Sequence, residues 1–205
     1  NKLEKMKNAI KHRGPDDDDI YLSGFLNNNG FSDKTEFPNN IIGGFVGFAH
    51  SRLSIRDIKG GHQPMTRAYN TDYLRKMLSS FDISFETTGD TEIILYCYLV
   101  FGTDIFKELN GIFSFVIYDN DTAIVVRDHI GVKPLFYYHN NREFVFSSES
   151  KGIFAYGIKP MINSDSWCEI IGLGPAHTLG NGVFKDIKEV LPGHYLTVTT
   201  DYHHN

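Results

Sequence analysis

Hydrophobic residues recur at helical spacing near the start of the chain. Leu3, Met6 and Ile10 follow one another at steps of three and four residues, which places them on one face of an amphipathic helix. Gly14 and Pro15 come shortly after this segment, and neither residue continues a helix easily. The pattern therefore predicts a first helix that ends before residue 14.

The middle of the chain contains three further segments with helical patterning. They are residues 71–80 with Thr71 as the N-cap, residues 89–102, which are mostly buried by their composition, and residues 103–110 with Thr103 as the N-cap. Gly102 and Gly111 follow the second and third segments, where glycine can close a helix.

Strand patterns occupy much of the remaining sequence. Residues 20–26, 41–55 and 194–201 each predict a strand, and residues 111–128 and 134–149 each predict a hairpin around a turn of Asp and Asn residues. Antiparallel hairpins with segregated helices indicate an α+β fold. Aromatic residues on both faces of the strands suggest two stacked sheets with helices outside.

Composition and charge exclude several classes of protein. The net charge of -5 provides no basic surface for nucleic acid and no polybasic patch for a membrane. No apolar stretch approaches the ~20 residues that cross a bilayer, and the charged first residues do not resemble a signal peptide. With only two cysteines, Cys97 and Cys168, a reducing, cytoplasmic location fits best.

Four consecutive aspartates, Asp16–Asp19, raise the question of a metal site. The segment fails as an EF-hand, because it lacks the glycine at the sixth position and the glutamate at the twelfth. A solvated loop after the first helix is the favoured interpretation, and no metal is expected here.

Two charged residues have the chemistry that a free α-amino acid requires. Arg52 stands where a strand runs into a loop, and its guanidinium can donate two parallel hydrogen bonds to a carboxylate. Asp90 stands at the start of a predicted helix and can bind an ammonium group. Taken alone, the residues leave two simpler interpretations open: a surface ion pair for Arg52 and a helix N-cap for Asp90.

Eight stretches together carry a family resemblance. They are HRGPDD, FAHSRLSI, HQPM, GDTEIIL, LNGIFSFVIYD, VVRDHIGVKPLFYY, FSSESKGI and LPGHYL, and they span almost the whole chain. In this order they resemble the glutamine amidotransferase domain of asparagine synthetases, the class II or N-terminal-nucleophile type. The stretch GLGPAHTLGNGVFKDIKEVLPGHYL resembles a bacterial-type variant of that family.

The resemblance implies a four-layer α-β-β-α sandwich and an enzyme that hydrolyses glutamine. The ammonia would pass to a C-terminal synthetase domain that uses ATP and magnesium to make asparagine from aspartate. No cofactor is expected within residues 1–205, and the implied partners are L-glutamine and the synthetase domain, with a homodimer as a further possibility.

The resemblance also assigns roles to the two charged residues. Arg52 matches the arginine that holds the glutamine α-carboxylate, and Asp90 matches the aspartate that takes the α-ammonium. Leu53, Ser54, Ile55 and Arg56 match the glutamine-binding loop, which acts mostly through backbone groups.

Two parts of the family's active site are missing from the sequence. The nucleophile is an N-terminal cysteine, whereas residue 1 is Asn1, and the oxyanion segment Asn-Gly-Glu is absent before Tyr69. We therefore expect the first strand and a segment between Ala68 and Tyr69 to be missing from residues 1–205. Alternatively, the protein is a natural pseudo-amidotransferase, or the chain is truncated.

The missing residues leave alternatives for the function. The chain could be a catalytically inactive module that binds glutamine or a protein partner, or an amidotransferase that acts on another acceptor. The presence of an N-terminal cysteine in the molecule separates the first alternative from the enzyme.

Overall fold

The computed structural model describes residues 2–14, 17–24, 45–52, 67–68, 70–87, 89–119, 121–174 and 178–199. The helices are α1 (Lys2–Ile10), α2 (Thr71–Leu78), α3 (Asp90–Phe101), α4 (Ser150–Tyr156) and α5 (Ser164–Leu173), with 3-10 helices at Lys11–Arg13 and Gly102–Lys107. The strands are β1 (Asp17–Gly24), β2 (Phe45–Arg52), β3 (Arg67–Ala68), β4 (Gly111–Ile112), β5 (Ser114–Asp119), β6 (Thr122–Arg127), β7 (Phe136–His139), β8 (Phe144–Ser147), β9 (Ile187–Glu189) and β10 (Tyr195–Thr199). Within these residues, no helix is both long and apolar enough to cross a membrane.

The strands pair in antiparallel fashion throughout the described residues. Two sheets have two strands each, β1-β2 and β3-β4, and two sheets have three strands each, in the orders β10-β6-β5 and β8-β7-β9. Antiparallel sheets with helices in separate parts of the chain form an α+β fold, which confirms the predicted class.

Both predicted hairpins are confirmed, and short polar side chains shape their turns. Asp121, between β5 and β6, has a φ of 64°, a left-handed conformation that Asp tolerates better than most residues. Between β7 and β8, the Asn140 Oδ1 accepts hydrogen bonds from the N–H groups of Arg142 and Glu143. Such local bonds are the reason that Asp and Asn are favoured in turns.

The largest apolar cluster packs α2 and α3 against sheet β10-β6-β5. Its buried helical members are Leu74, Leu78, Ile93, Ile94 and Cys97, and its buried members on β5 and β6 are Ile117, Ile124 and Val126. Because Leu74 and Leu78 lie four residues apart, they share one face of α2. This packing fixes the position of α3 relative to the sheet.

Alternation along the strands creates two further clusters. Val125 lies between Ile124 and Val126 but belongs to a different cluster, in which it meets Leu135 and Val190. A separate cluster joins α1 and α4 to sheet β8-β7-β9; its buried members are Leu3, Met6, Val145, Ile153 and Ile187. Each three-stranded sheet therefore buries apolar side chains in two clusters.

Arg127 at the end of β6 connects the two three-stranded sheets. Its Nη1 donates to the carbonyl oxygen of Val190 at 2.6 Å and to Glu189 Oε2 at 3.0 Å, where β9 ends. Its Nε and Nη2 donate to the carbonyl oxygens of Lys133 and Gly131, in the loop that leads to β7. Gly131 has a φ of 72°, and a Cβ there would lie 2.7 Å from Cγ of Pro192, so the turn requires glycine.

The buried side chain of Asp128 holds the same loop through hydrogen bonds to its backbone. Its fully buried carboxylate accepts hydrogen bonds from the N–H groups of Ile130, Val132 and Lys133 at 3.0–3.1 Å. Burial alone would raise the pKa of Asp128, but the backbone donors outweigh that effect and hold the pKa below its usual value. The Asp128 carboxylate is therefore charged and fully engaged at neutral pH.

A charged cluster fastens the turn after α1 to the start of α4. Glu149 Oε1 lies 3.0 Å from Arg13 Nη1 and 2.9 Å from His12 Nε2, and Oε2 lies 2.9 Å from Lys151 Nζ. Burial opposes ionisation, but the hydrogen bonds from Lys151, Arg13 and His12 lower the pKa of Glu149 to about 2. Helix α1 ends at Ile10 and a 3-10 turn continues to Arg13, so the helical segment ends before Gly14, as predicted, and this cluster holds that turn.

The aspartate run differs from its predicted structure. Asp17, Asp18 and Asp19 begin strand β1 and lie opposite Arg52, Ser51 and His50 of β2, so the prediction of a solvated loop is wrong for them. Pairing with β2 satisfies backbone N–H and C=O groups that a loop would leave to water. Among the described residues, no group of three or more His, Cys, Asp or Glu side chains could hold a metal ion.

Three details of the predicted helices are wrong. Asn70, not Thr71, occupies the N-cap position of α2. The predicted third helix is the 3-10 helix Gly102–Lys107, so Thr103 lies inside it rather than at its cap. Helix α3 is not mostly buried, because Leu95 and Leu99 are exposed.

The side chain of Asn70 contacts the segment before β4 instead. Its amide donates to the carbonyl oxygen of Glu108 and accepts from the N–H of Asn110, so it links the start of α2 to that segment. Helix α4 and strand β9 were not predicted, because each is short and neither has a clear repeat of apolar positions.

We predict that Asp128→Asn lowers the free energy of unfolding by ~2 kcal/mol, because an amide NH₂ would replace one acceptor opposite the Lys133 N–H. For a chain of this size the midpoint of thermal unfolding should fall by roughly 4–8 °C, measured by circular dichroism. The control is Asp104→Asn, which removes an exposed carboxylate paired with the exposed Lys107 and should change stability by less than ~0.5 kcal/mol. Equal effects of the two variants would contradict the role given to Asp128.

The charged cluster predicts a specific acid sensitivity. Because the pKa of Glu149 falls from an ordinary 4.5 to about 2 on folding, its stabilising contribution is full above about pH 4.5 and is lost as the pH falls towards 2. Urea unfolding between pH 6 and pH 2.5 should therefore show a smaller loss of stability in Glu149→Gln than in the wild type. Glu4→Gln, at an exposed position of α1, should follow the wild-type curve. Parallel curves for Glu149→Gln and the wild type would contradict the assignment.

Candidate functional site

Asp90 is a buried carboxylate at the start of α3. It is the first residue of the helix and is only 7% exposed. Gly89 occupies the N-cap position with φ -74° and ψ 151°, so the interpretation of Asp90 as the N-cap is wrong. The positive end of the helix dipole favours a negative charge at this position.

Glu92 holds the segment that leads into α3. Its Oε1 accepts from the N–H of Glu86 at 2.7 Å, and its Oε2 accepts from the N–H and Oγ1 of Thr87 at 2.8 and 2.7 Å. Burial would raise the pKa of Glu92, but the hydrogen bonds from Glu86 and Thr87 outweigh it and lower the pKa. Thr87 Oγ1 in turn accepts from the N–H of Gly89 at 3.2 Å.

Arg75 of α2 supports the same segment from the other side. Its Nη2 donates to the carbonyl oxygen of Thr87 at 3.3 Å, and its guanidinium lies 4.3 Å from the centroid of the Phe85 ring. The Phe85 ring packs edge-on against Tyr96 of α3, with centroids 5.6 Å apart. Both α2 and α3 therefore fix the backbone that precedes Asp90.

Arg52 is the last residue of β2, where its backbone pairs with Asp17 of β1. The two predicted glutamine ligands, Arg52 and Asp90, thus come from separate elements, β2 and α3. The Arg52 guanidinium lies outside the described part of the chain, as do all of Leu53, Ser54, Ile55 and Arg56.

The described geometry suits the binding of an ammonium group at Asp90. A carboxylate that is largely withdrawn from water attracts a cation more strongly, because the local dielectric constant is lower than that of water. Hydrogen bonds that hold Glu86, Thr87 and Gly89 before the carboxylate reduce the entropy that is lost on binding. Asp90 has both properties.

The two cysteines occupy very different environments. Cys97 is fully buried in α3, and burial raises the pKa of its thiol to about 11. At neutral pH such a thiol is almost entirely protonated and unreactive, as its apolar surroundings predict. Cys168 is exposed on α5.

Three supporting residues, Glu92, Arg75 and Thr87, were not identified from the sequence. Glu92 follows the N-cap by three residues, but the N-cap is Gly89, so the Ser or Thr of a capping box is absent, and Glu92 bonds to residues 86 and 87 instead. The contact of Arg75 with Thr87 crosses from one helix to the segment before the next, and no local pattern indicates it.

Comparisons with known proteins agree on one family. Residues 1–204 match the family described as glutamine amidotransferase domain. The sequence is 36% identical to asparagine synthetase [glutamine-hydrolyzing] 3 of Bacillus subtilis, over 97% of this chain and 32% of that protein. It is also 36% identical to putative asparagine synthetase [glutamine-hydrolyzing] 2 of Methanocaldococcus jannaschii, over 80% of this chain and 34% of that protein. The chain spans about a third of the length of these curated relatives.

The fold also resembles a solved structure. Glutamine phosphoribosylpyrophosphate amidotransferase from B. subtilis superposes with a TM-score of 0.57, at 17% identity, over 76% of this chain and 40% of that one. At this level of identity the likeness concerns the fold alone, and it agrees with the α+β class.

Proposed function

The chain belongs to the glutamine amidotransferase domain family, and on that premise we propose that it hydrolyses glutamine to glutamate and ammonia. The observation that carries the proposal is the family match over residues 1–204, together with relatives that are named as glutamine-hydrolysing asparagine synthetases.

We further propose that the ammonia is used by a synthetase part of a larger protein. The relatives are about three times as long as the region matched here, which leaves room for such a part. That part would use ATP and magnesium to activate aspartate, and the ammonia would convert it to asparagine.

Two free cysteines support a reducing, cytoplasmic location.

Glutamine recognition is proposed to use both charged residues. Asp90 would bind the α-ammonium, which its burial at the start of α3 supports. Arg52 would bind the α-carboxylate through two parallel hydrogen bonds, and the backbone of residues 53–56 would line the rest of the site. Opposite charges at the two ends of this site would orient the side-chain amide of glutamine towards the nucleophile.

The proposed nucleophile is an N-terminal cysteine outside the 205 residues, as the resemblance implies. Cys97 is unsuited to the role, because its thiol is buried and its pKa is raised to about 11. An α-amine titrates at about 7.7–8.0 and a free thiol at about 8.5, so the amine can take the thiol proton near neutral pH.

The reaction would then proceed in two stages. The thiolate attacks the amide carbon, the C–N bond breaks, and ammonia leaves with the proton that the α-amine returns. Water then attacks the resulting thioester, again with the α-amine as base, and releases glutamate and the free thiol.

The oxyanion segment is proposed to lie between residues 68 and 69. The alignment with the Bacillus subtilis relative runs over 216 positions, more than the 205 residues of this chain, so that relative carries residues that this sequence lacks. An Asn side chain and a Gly N–H in such a segment would stabilise the oxyanion, and one donor of this kind is typically worth ~10²–10³ in rate.

We also propose that the layers follow the order helix, sheet, sheet, helix. The support is the three apolar clusters: one between α2, α3 and sheet β10-β6-β5, one that draws on both three-stranded sheets, and one between sheet β8-β7-β9 and α1, α4. This order corresponds to the four-layer sandwich that the resemblance implies.

The test is ammonia release from L-glutamine by the full-length gene product. We expect hydrolysis, and we expect Asp90→Asn and Arg52→Ala each to raise the KM for glutamine by ~30-fold or more, because each removes one partner of a charged contact. The kcat should change much less, because neither residue takes part in proton transfer.

Matched controls separate this effect from a general loss of charge. Asp72→Asn alters an exposed aspartate near the start of α2, and Arg142→Ala alters an exposed arginine, so both should leave the KM unchanged. The preparation should have an N-terminal cysteine and an intact mass above 23.3 kDa, the mass of the 205 residues. A protein with that cysteine that binds glutamine but releases no ammonia would support the non-catalytic module instead.

A further inference from the structure

We propose that Glu92 is a positioning residue for glutamine: its carboxylate fixes the backbone segment before Asp90 and so holds Asp90 in place for the α-ammonium. This inference rests on the proposed function of the domain. It assigns the selectivity of the site for an α-amino acid partly to a residue that does not touch the substrate.

The hydrogen bonds of the Glu92 carboxylate restrain the segment before Asp90. Both carboxylate oxygens are occupied by donors from residues 86 and 87, through two backbone N–H groups and one hydroxyl, at 2.7–2.8 Å. Three short bonds to a charged acceptor form a strong local restraint, since bonds to an ionised group are about twice as strong as neutral ones. The carboxylate is thus committed to the protein backbone.

Hydrogen bonds and the backbone connect Glu92 to Asp90. Glu92 lies two residues after Asp90 in the first turn of α3, and Gly89 lies directly before Asp90. The N–H of Gly89 donates to Thr87 Oγ1, and the same hydroxyl donates to Glu92 Oε2. Asp90 is therefore enclosed in a closed chain of bonds that begins and ends on Glu92.

Helix α2 also restrains Thr87. Arg75 donates to the carbonyl oxygen of Thr87, so this residue is held through its N–H, its hydroxyl and its carbonyl group. The Arg75 guanidinium also covers the Phe85 ring at 4.3 Å. Because Thr87 is restrained in this way, we expect the loss of a Glu92 hydrogen bond to shift Gly89 and Asp90 rather than the segment before Thr87.

A purely structural role for Glu92 makes a different prediction. A helix cap contributes to stability whether or not glutamine is bound, and its loss would lower stability without a specific effect on glutamine affinity. A positioning role acts through Asp90, so its effect must disappear when Asp90 no longer binds the ammonium. This dependence is the observation that separates the two roles.

The experiment is a double-mutant cycle in the full-length protein. Glu92→Gln, which keeps the length of the side chain but removes one acceptor, should raise the Kd and the KM for L-glutamine by ~10-fold with kcat within about twofold. In an Asp90→Asn background the same change should alter the Kd by less than about twofold. Calorimetry on forms whose N-terminal cysteine is replaced by alanine measures the Kd without hydrolysis, and ammonia release by the forms that keep the cysteine measures KM and kcat.

Two further variants make the cycle decisive. Asp82→Asn removes an exposed carboxylate from the same segment and should leave the Kd unchanged, which controls for the loss of negative charge. Thr87→Val removes the hydroxyl between Glu92 and Gly89 with little change in size, and should raise the Kd by ~3-fold. If Glu92→Gln does not fold, the Kd of Thr87→Val for glutamine tests the positioning role instead.

The outcomes distinguish this inference from the proposed function. An unchanged Kd in Glu92→Gln, or an equal increase in both backgrounds, overturns the positioning role while leaving the glutamine site intact. An unchanged Kd in Asp90→Asn overturns the site assignment itself and the inference with it. A protein that binds glutamine without releasing ammonia contradicts the proposed hydrolysis. The Kd values for glutamine would still test the positioning role of Glu92 in that case.

Discussion

The pair Arg127–Asp128 at the end of β6 is the constraint on which the rest of the fold depends. A buried charge is tolerated only when hydrogen bonds replace the water that it loses. Arg127 meets this condition with acceptors beside two neighbouring strands of the other sheet, at Lys133 in the loop to β7 and at Val190 after β9. Asp128 meets it with three N–H groups of its own loop. The two three-stranded sheets are thereby fixed to each other.

The consequences extend to the candidate site. Alternation along β6 assigns Ile124 and Val126 to the cluster that includes α3, and Val125 to another cluster. Ile93, Ile94 and Cys97 on one side of α3 pack in the first of these clusters. The start of α3, and Asp90 with it, therefore has a position that is set by the sheet. Glu92 and Arg75 then restrict the short segment before the helix, so that long-range packing and local hydrogen bonds act on the same carboxylate.

The sequence predicted the features that depend on neighbouring residues. The turn at Asn140 follows from a side chain that bonds to backbone two and three residues away, and the turn at Asp121 follows from a residue type that tolerates a left-handed conformation. Helix α1 follows from the spacing of Leu3 and Met6. Distant contacts were not predictable in this way. Arg127 meets Val190 across 63 positions, and Asp17–Asp19 became a strand because β2 pairs with them. The same limit applied to the site. Charge alone left Asp90 open to interpretation as an N-cap, which the structure rules out by placing Gly89 there. The family resemblance singled out Asp90 as a predicted glutamine ligand among many acidic residues, because it joined residues that no local rule connects.

The central claim is that the Asp90 carboxylate binds the α-ammonium of glutamine, and a ligand–residue cycle tests it most directly. Calorimetry would compare L-glutamine with glutaramic acid, the same molecule without the α-amino group, in the wild type and in Asp90→Asn, each with its N-terminal cysteine replaced by alanine so that neither amide is hydrolysed. The account predicts that the wild type prefers glutamine by ~100-fold and that Asp90→Asn binds both ligands within about threefold, because only the charged contact is lost. An undiminished preference for glutamine in Asp90→Asn would contradict the account.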